Sequence, residues 1–434
     1  MTHARPERFD VAVIGAGMAG MAAALFAAER GLSCIQVGNG GSILFASGLL
    51  DLLGVHPVAE RRRWQSPYAG LAALSQDEPG HPLARVDTAS IRRAFNVFVK
   101  ALDDAGLAYA PLGELNRRVL TSIGTIKTTF GVPISMAAGV DALEVRPPCL
   151  LVEIRGLREF SAGQIAAALR DRWPGLRHQR IEFPGCEAAS ELYAVHLARA
   201  LEIRTTRERT IALIKPLLGD ARAVGFPAVL GLTRASEVHA AFEAGLGVPV
   251  FEIPTMPTSV PGMRLLGTLE AAASVRGVSR CHQARVHALT LDRNEETAAL
   301  ELEGVPGGGH IVARAVVLAT GRFTGRGLSA DREGVRESLL GIPVQQPGSR
   351  ELWHQCDFLD PKGHAINRAG LRVDDAWRPL DASGKPVWLR LHAVGSILAR
   401  QDWMRSKCGS GLAIATAWAA MHRVACELGG TAAG

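Results

Sequence analysis

Clustered cysteine is absent from this 434-residue sequence. The seven cysteines are Cys34, Cys149, Cys186, Cys281, Cys356, Cys408 and Cys426, and no two lie within four positions of each other. That spacing excludes C-x-x-C zinc ribbons and the usual iron–sulfur runs within this chain. The count is odd and no secretory leader is recognised, so reduced thiols in the cytoplasm are expected. Long apolar runs are missing too. The most apolar stretches lie near Val11–Ala28 and Leu412–Met421. Glycines interrupt the first and the second is too short to span a bilayer, so any membrane association is expected to be peripheral. No H-E-x-x-H or other metal set occurs among the 13 histidines, and there is no G-x-S-x-G elbow. Formal net charge is +6. The basic clusters Arg61–Arg63, Arg92–Arg93 and Arg117–Arg118 have no interleaved aromatics, which argues for a solvated surface and against nucleic acid.

What is there points to an α/β protein. Apolar content of 47% and charged content of 21% suit a globular chain, and the length suits two interleaved domains. The organising stretch is Phe9–Val37. Val11-Ala12-Val13-Ile14 reads as a buried strand. Gly15-Ala16-Gly17-Met18-Ala19-Gly20 follows at once, then the Ala-rich helix Met21–Arg30, a C-cap glycine at Gly31 and a second strand Ser33–Val37. This is a βαβ unit of about 30 residues with G-x-G-x-x-G at its first turn. Gly15 allows the tight turn, Gly17 lets backbone N–H groups approach a pyrophosphate, and Gly20 lets helix and strand pack closely. Met18 and Ala19 lie at the positive helix end that faces the phosphates. The acid that usually ends the second strand is missing; Val37-Gly38-Asn39-Gly40-Gly41 stands there, and Asn39 is the ribose candidate.

The small and hydroxyl residues of Gly40–Gly48, among them Ser42, Ser47 and Gly48, would let backbone approach a flat ligand, and Asp51 is read as a helix cap. Pro57–Pro82 reads as a connection, Ile91–Ala105 as a helix and Thr121–Phe130 as a strand around Gly124. From about 147 to 253, strands (Leu150–Ile154, Ile181–Phe183, Ala228–Leu232, Val248–Ile253) alternate with helices (Ser161–Arg172, Ala188–Leu201, Arg207–Leu218, Ala235–Ala244), which is a second α/β domain. Met263–Ala273 is helix. Ala284–Leu291, Thr297–Glu303 and His310–Thr320 form a meander with a turn at Val305–Gly309. The meander ends in Ala319-Thr320-Gly321, whose glycine lets the chain pass close to a cofactor. Gly395-Ser396 follows a last strand, and Cys408-Gly409-Ser410-Gly411 opens a helix from Leu412 to Glu427, a second helix N-terminus able to face phosphate or a flavin O2 edge.

The three glycine-bearing blocks, in this order, resemble the two-domain flavoproteins related to fumarate reductase flavoprotein subunits. RFDVAVIGAGMAGM with ASGLLDLL, PTMPTSVPGMRL, LATGRFTGRGLSADREGVRESLLGIPV and HAVGSILARQDWMRSKCGSG resemble the B-subunit family of the anaerobic glycerol-3-phosphate dehydrogenases over nearly the whole chain. The resemblance implies a Rossmann-like two-domain α/β flavoprotein fold. Its discontinuous flavin-binding domain would be built from 1–56, 255–325 and 386–434 and would include the β-meander. An α/β domain would be inserted at 57–254, with a cap segment at 326–385. It implies a flavin-containing polypeptide, described with FMN and with FAD held nearly even. Its partners would be the FAD-containing catalytic A-subunit, together with the iron–sulfur, membrane-anchoring C-subunit, at the cytoplasmic face of the inner membrane. The complex oxidises sn-glycerol 3-phosphate, a small phosphorylated polyol, to dihydroxyacetone phosphate and feeds a quinone. Where the family has a glycine-rich loop before the last helix, this chain has Ala399–Lys407 with bulky and charged residues.

Oxidising a secondary alcohol needs a hydride acceptor and a base, and a phosphate-bearing substrate needs cations. The candidate cations at family-matched positions are Arg264, Arg332 and Arg336, with Lys127 beside them. His354 and His392 are the candidate bases, though none is identified as the base. The expected flavin contacts are Gly15, Gly17, Met18, Ala19, Gly20, Asn39, Ser42, Ser47, Gly48, Thr320, Gly321, Gly395, Ser396, Gly409, Gly411 and Leu412. A flavin relay protein without a substrate site is the second reading. A nicotinamide-dependent dehydrogenase would leave the Ala-Thr-Gly strand and the C-terminal block without a role.

Overall fold

The structure is a computed structural model that describes residues 7–305 and 309–429, so Pro306–Gly308 of the expected meander turn lie outside the described residues. The strands in chain order are β1 (Glu7–Ile14), β2 (Cys34–Gly38), β3 (Arg117–Leu120), β4 (Ile126–Thr129), β5 (Cys149–Ile154), β6 (Leu176–Ile181), β7 (Ala223–Pro227), β8 (Val250–Ile253), β9 (Ser279–His282), β10 (Arg285–Asp292), β11 (Thr297–Glu303) and β12 (Gly309–Leu318). Short strands follow, including Leu391–Ala393. The chain divides into two compact units. One is 1–42, 51–101 and 269–434; the other is 43–50 and 102–268.

The first unit is built on a seven-stranded sheet. Its order is β10-β11-β12-β1-β2-β9, with Leu391–Ala393 beside β12. β12, β1, β2, β9 and Leu391–Ala393 run parallel, while β10 and β11 are the antiparallel meander. The parallel strands finish level, since Ile14 is paired with Leu318 and Val37, and Leu318 with Ala393. Every glycine loop expected at a cofactor and placed in this unit therefore leaves the same end of the sheet or sits on a helix packed there. The first helix, Met18–Glu29, is buried on all sides from Gly20 to Ala27, as expected of a helix covered on both faces. Its Phe26 meets Trp418 of the C-terminal helix Gly409–Glu427 edge to face, with ring centroids 5.0 Å apart. Each such side chain taken fully out of water contributes about 1.5–3 kcal/mol.

The second unit holds a four-stranded, all-parallel sheet of order β6-β5-β7-β8, with β3 and β4 as a separate hairpin. Its core joins Leu150, Leu151, Phe226, Phe242 and Phe251, all buried. Ser161 caps the helix Ala162–Leu169 by accepting from the Gln164 N–H at 3.3 Å.

The structure redraws several expectations. The stretch 121–130 is not one strand. Gly124 turns the chain at φ +77°, and the strand pairing is β3 with β4. The strand expected at Ala228–Leu232 is Ala223–Pro227 instead. The residues after Pro227 form tight turns, with Val229 N–H donating to Pro227 O and Gly231 N–H to Val229 O. Asp51 caps no helix; its carbonyl accepts the Gly411 N–H at 2.6 Å. The unit boundaries also differ from those read in the sequence. Residues 57–101 fall with the first unit, tied there by Arg85 to Val373 O and the Arg368–Glu78 ion pair. Residues 255–268 fall with the second, where Arg264 pairs with Glu252 and Ser259 bonds Leu44 and Ala46. The segment 43–50 joins them there, and 326–385 is part of the first unit.

Candidate functional site

Three loops leave the level carboxyl ends of β1, β12 and Leu391–Ala393, where open parallel sheets place ligands. The β1 loop is set by close backbone approaches. Gly15 has φ +121°, and a Cβ there would lie 2.3 Å from Ala319 O, so only glycine lets the two loops touch. A Cβ on Gly20 would lie 1.9 Å from Gly15 O, which fixes the helix against its own entry turn. Gly17 differs from both. Its backbone is ordinary, φ −74° and ψ −174°, and a Cβ would meet only Ser42 Oγ at 3.3 Å. Space is kept open there rather than filled by protein.

That space lies at the start of the helix Met18–Glu29. No side chain caps this helix and its first turn carries no acid. The N–H groups of Met18, Ala19 and Gly20 therefore have no intrahelical acceptor, and with the helix dipole they form a phosphate-sized anion cradle. Ser42 stands over the same space. Asn39 instead bonds its own turn, with Oδ1 accepting the Gly41 N–H at 3.0 Å. Nearby, the buried Gln36 donates to Gly15 O at 3.3 Å and accepts from Arg280, which is paired with Glu270 at 2.7 Å. Sequence reading missed this chain, because Glu270 and Arg280 are more than 200 positions from Gln36.

Thr320 is half-buried at the end of the β12 loop, and its Oγ1 is shut from solvent without a hydrogen-bond partner. Such an orphan is rare and points to a partner that the protein itself does not supply. Gly321 follows at φ +69°, with Ser396 Oγ 3.7 Å from where its Cβ would stand. Gly395 packs on Ala19, and its N–H donates to Thr416 Oγ1 at 2.9 Å; Thr416 in turn donates to Leu412 O. Gly411 lies against the backbone of Leu52, Gly409 packs on the Trp403 ring, and Leu412 is buried. The structure thus brings together Gly15, Gly17, Met18, Ala19, Gly20, Ser42, Thr320, Gly321, Gly395 and Ser396, with Gly409, Gly411 and Leu412 opening the C-terminal helix. Ser47 and Gly48 belong to the second unit, where Gly48 O accepts the buried Tyr109 hydroxyl at 2.6 Å.

The substrate cations and bases read from sequence are divided between the units, Arg264 and Lys127 in the second and the others in the first. Arg264 is buried and spent on Glu252, with Nη1–Oε2 2.5 Å and Nη2–Oε1 2.9 Å, while Nε donates to Gly231 O. Its charge is compensated inside the second unit and unavailable to a phosphate. Arg336 is exposed and paired with Glu333 and Asp331; Arg332 is exposed beside it. Lys127 is half-buried in β4. His354 is exposed, its ring 5.2 Å from His364. His392 is fully buried between Ala376 O at 2.9 Å and Glu427 Oε2 at 3.1 Å. Glu427 ends the 19-residue C-terminal helix, about 27 Å along its axis from the glycines at its start. His392 stands three residues before Gly395, but it is fully buried with both ring nitrogens engaged, so it is closed to a substrate.

No group of three or more metal-binding side chains occurs among the described residues. No disulfide links the cysteines. Burial pushes the Cys34 and Cys149 thiols up to about 12, and raises Cys408 further at the start of the C-terminal helix, beside Asp51 and Asp402. Thiolate is the reactive form, so Cys408 is no nucleophile here. Iodoacetamide at pH 8 is expected to label the exposed Cys356 and Cys426 in the folded chain and to spare Cys34, Cys149 and Cys408 until it is unfolded. Peptide mass spectrometry checks this, and native labelling of Cys408 would contradict it.

Comparison with known proteins agrees with the geometry. The family model described as "FAD binding domain" matches residues 10–412. A Halobacterium salinarum protein, named as a probable B-subunit of anaerobic glycerol-3-phosphate dehydrogenase, is 33% identical over 431 residues, covering 95% of this chain and 96% of its own. The Vibrio cholerae protein named as the B-subunit of anaerobic glycerol-3-phosphate dehydrogenase is 28% identical over 438 residues, with 96% of each chain covered. Among solved structures, a 3-ketosteroid delta1-dehydrogenase from Sterolibacterium denitrificans is 13% identical, with a TM-score of 0.46 over 97% of this chain and 100% of that one.

Proposed function

Because this chain belongs to the B-subunit family of the anaerobic glycerol-3-phosphate dehydrogenases, within the FAD-binding-domain flavoproteins, we propose that it binds FAD and serves in the oxidation of sn-glycerol 3-phosphate to dihydroxyacetone phosphate. The observation that carries this reading is the open phosphate cradle at Gly17, level with the orphaned Thr320 hydroxyl at the same end of the sheet. The Gly15–Gly20 turn and the first helix turn would hold the phosphates; Thr320, Gly321, Gly395 and Ser396 line the neighbouring loops. When bound, the flavin supplies a two-electron acceptor, and the alcohol carbon gives up a hydride while its hydroxyl proton goes to a base.

FAD takes the place of the FMN that the resemblance implies. The cradle sits on a dinucleotide-type βαβ unit, and the matching family is described as an FAD binding domain. Acid release followed by chromatography is expected to yield FAD; FMN alone would overturn the assignment. The electrons pass on to a quinone through partners. Those partners are the catalytic, FAD-containing A-subunit, together with the iron–sulfur C-subunit, which anchors the complex at the cytoplasmic face of the inner membrane. No helix among the described residues is long and apolar enough to cross a membrane, consistent with anchoring by a partner.

A second reading is favoured by the burial of His392, whose two ring nitrogens are both engaged, by Ala376 O and Glu427 Oε2. In it, the chain relays electrons without turning over substrate. Anaerobic addition of sn-glycerol 3-phosphate to the purified chain separates the two. Bleaching of the flavin supports turnover on this chain; a flavin that bleaches only when the partner subunits are present supports the relay.

A further inference from the structure

We propose that the carboxyl end of the second unit's parallel sheet is a binding crevice for a small polyol, with Glu159 and Thr255 as its hydrogen-bonding residues. The topology places it. In the order β6-β5-β7-β8, the chain leaves β5 toward β6 on one side and leaves β7 toward β8 on the other. The carboxyl ends of β5 and β7 are therefore a switch point, where loops part and open a crevice.

Two loops frame this opening, and each carries a buried oxygen with nothing to bond. Glu159 follows β5 and Thr255 follows β8; Glu159 Oε2 and Thr255 Oγ1 are both shut from solvent without a partner. Thr255 as a whole is 5% exposed. The loops are joined where the Met256 N–H donates to Glu159 O at 3.2 Å, so the β8 loop reaches over β7 to the β5 loop. Three residues before Thr255, Glu252 is held in place: Leu230 N–H donates to Glu252 Oε1 at 2.7 Å, and Arg264 clamps it. A protein that leaves two polar atoms unsatisfied on joined loops has the form of a site completed by a ligand.

The chemistry of the two atoms selects the ligand. A carboxylate oxygen only accepts, so the ligand must donate; a threonine hydroxyl can donate or accept. Two neighbouring hydroxyls of a polyol satisfy both. Arg155 and Arg158, on the same loop, are spent on Glu182 and Glu191, so neither satisfies Glu159 Oε2. The β8 loop is also bonded, through Ser259, to Leu44 O and Ala46 O. Which polyol fills the crevice rests on the proposed function, and sn-glycerol 3-phosphate is the one it names.

The test uses the full flavin-loaded chain, assembled with its partners if they are required for bleaching. Thr255→Val and Glu159→Gln are expected to raise the half-saturating sn-glycerol 3-phosphate concentration at least fivefold, with flavin content and melting temperature unchanged, and Thr255→Ser is expected to restore it. An unchanged half-saturation overturns the proposal. So does a rise that comes only with lost flavin or a lower melting temperature, since that is a structural role. If the parent protein does not respond to sn-glycerol 3-phosphate at all, the proposed function fails. The crevice is then judged with glycerol alone by saturation-transfer NMR. A signal in the parent that Thr255→Val abolishes supports it; no signal, or an equal one, overturns it.

Discussion

A Gly17→Val chain is expected to fold and to carry no flavin. Of the three fingerprint glycines, Gly17 alone combines ordinary backbone angles with room for a Cβ, with Ser42 Oγ at 3.3 Å as the sole neighbour. Valine therefore causes no collision with the protein's own backbone. Its methyl groups enter the space in front of the unpaired N–H groups of the helix Met18–Glu29, which is where phosphate oxygens would accept. Flavin affinity should fall at least about a hundredfold, ~2.8 kcal/mol, while the circular dichroism spectrum and melting temperature stay near those of the parent. Gly20→Ala gives the opposite result. Its Cβ would stand 1.9 Å from Gly15 O, a backbone atom that cannot swing aside, so the chain should fail to reach the native fold. Stoichiometric flavin in the purified Gly17→Val protein would show that the phosphates lie elsewhere.

That pair of outcomes also marks what was legible in the sequence. The β1 turn was readable because an apolar strand, three spaced glycines and an alanine-rich helix all state the same local structure. The parallel sheet of the second unit was readable for a related reason, through repeated alternation of strand and helix patterns. Legibility failed where apolar character was uniform. Residues 223–231 are all buried, so hydrophobicity could not tell the strand Ala223–Pro227 from the tight turns after it. Gly225 and Pro227 also made the true strand look the poorer candidate. Asp51 failed for another reason. Its helix-cap signal is local, but the backbone at Asp51 is spent on the start of the C-terminal helix, 360 positions away at Gly411. The site residues show the same division. Glycines announce close backbone approach from sequence alone. Whether an arginine is a free cation depends on what stands opposite it, and no periodicity connects Arg264 to Glu252, 12 positions earlier.

Arg264 carries the largest stability effect expected of a single side chain in the second unit. Arg264→Met should lower unfolding free energy by about 3–5 kcal/mol, the usual cost of stranding one member of a buried pair. The acid behaviour of Glu252 gives this a signature. Burial alone would raise the Glu252 carboxyl, but the Arg264 charge and hydrogen bonds, with help from the Leu230 N–H and the Ser135 hydroxyl, outweigh it and hold the group below its ordinary value. A folded-state value below the unfolded one means that Glu252 stabilises the parent above about pH 4.3. That stabilisation is lost as pH falls through the folded value. Without Arg264 the burial effect stands almost alone, so the folded-state value moves up. The sign then reverses: ionised Glu252 opposes folding at neutral pH, and protonation in acid relieves it. The gap between parent and Arg264→Met should therefore be widest at pH 7 and narrow toward pH 4, measured by urea unfolding across that range. Adding Glu252→Gln to Arg264→Met should recover much of the loss, because no buried charge is then left alone. A phosphate-binding arginine would behave otherwise: its removal would weaken substrate binding with little change in stability. A raised half-saturation for sn-glycerol 3-phosphate in a chain of parental stability would return Arg264 to the substrate site.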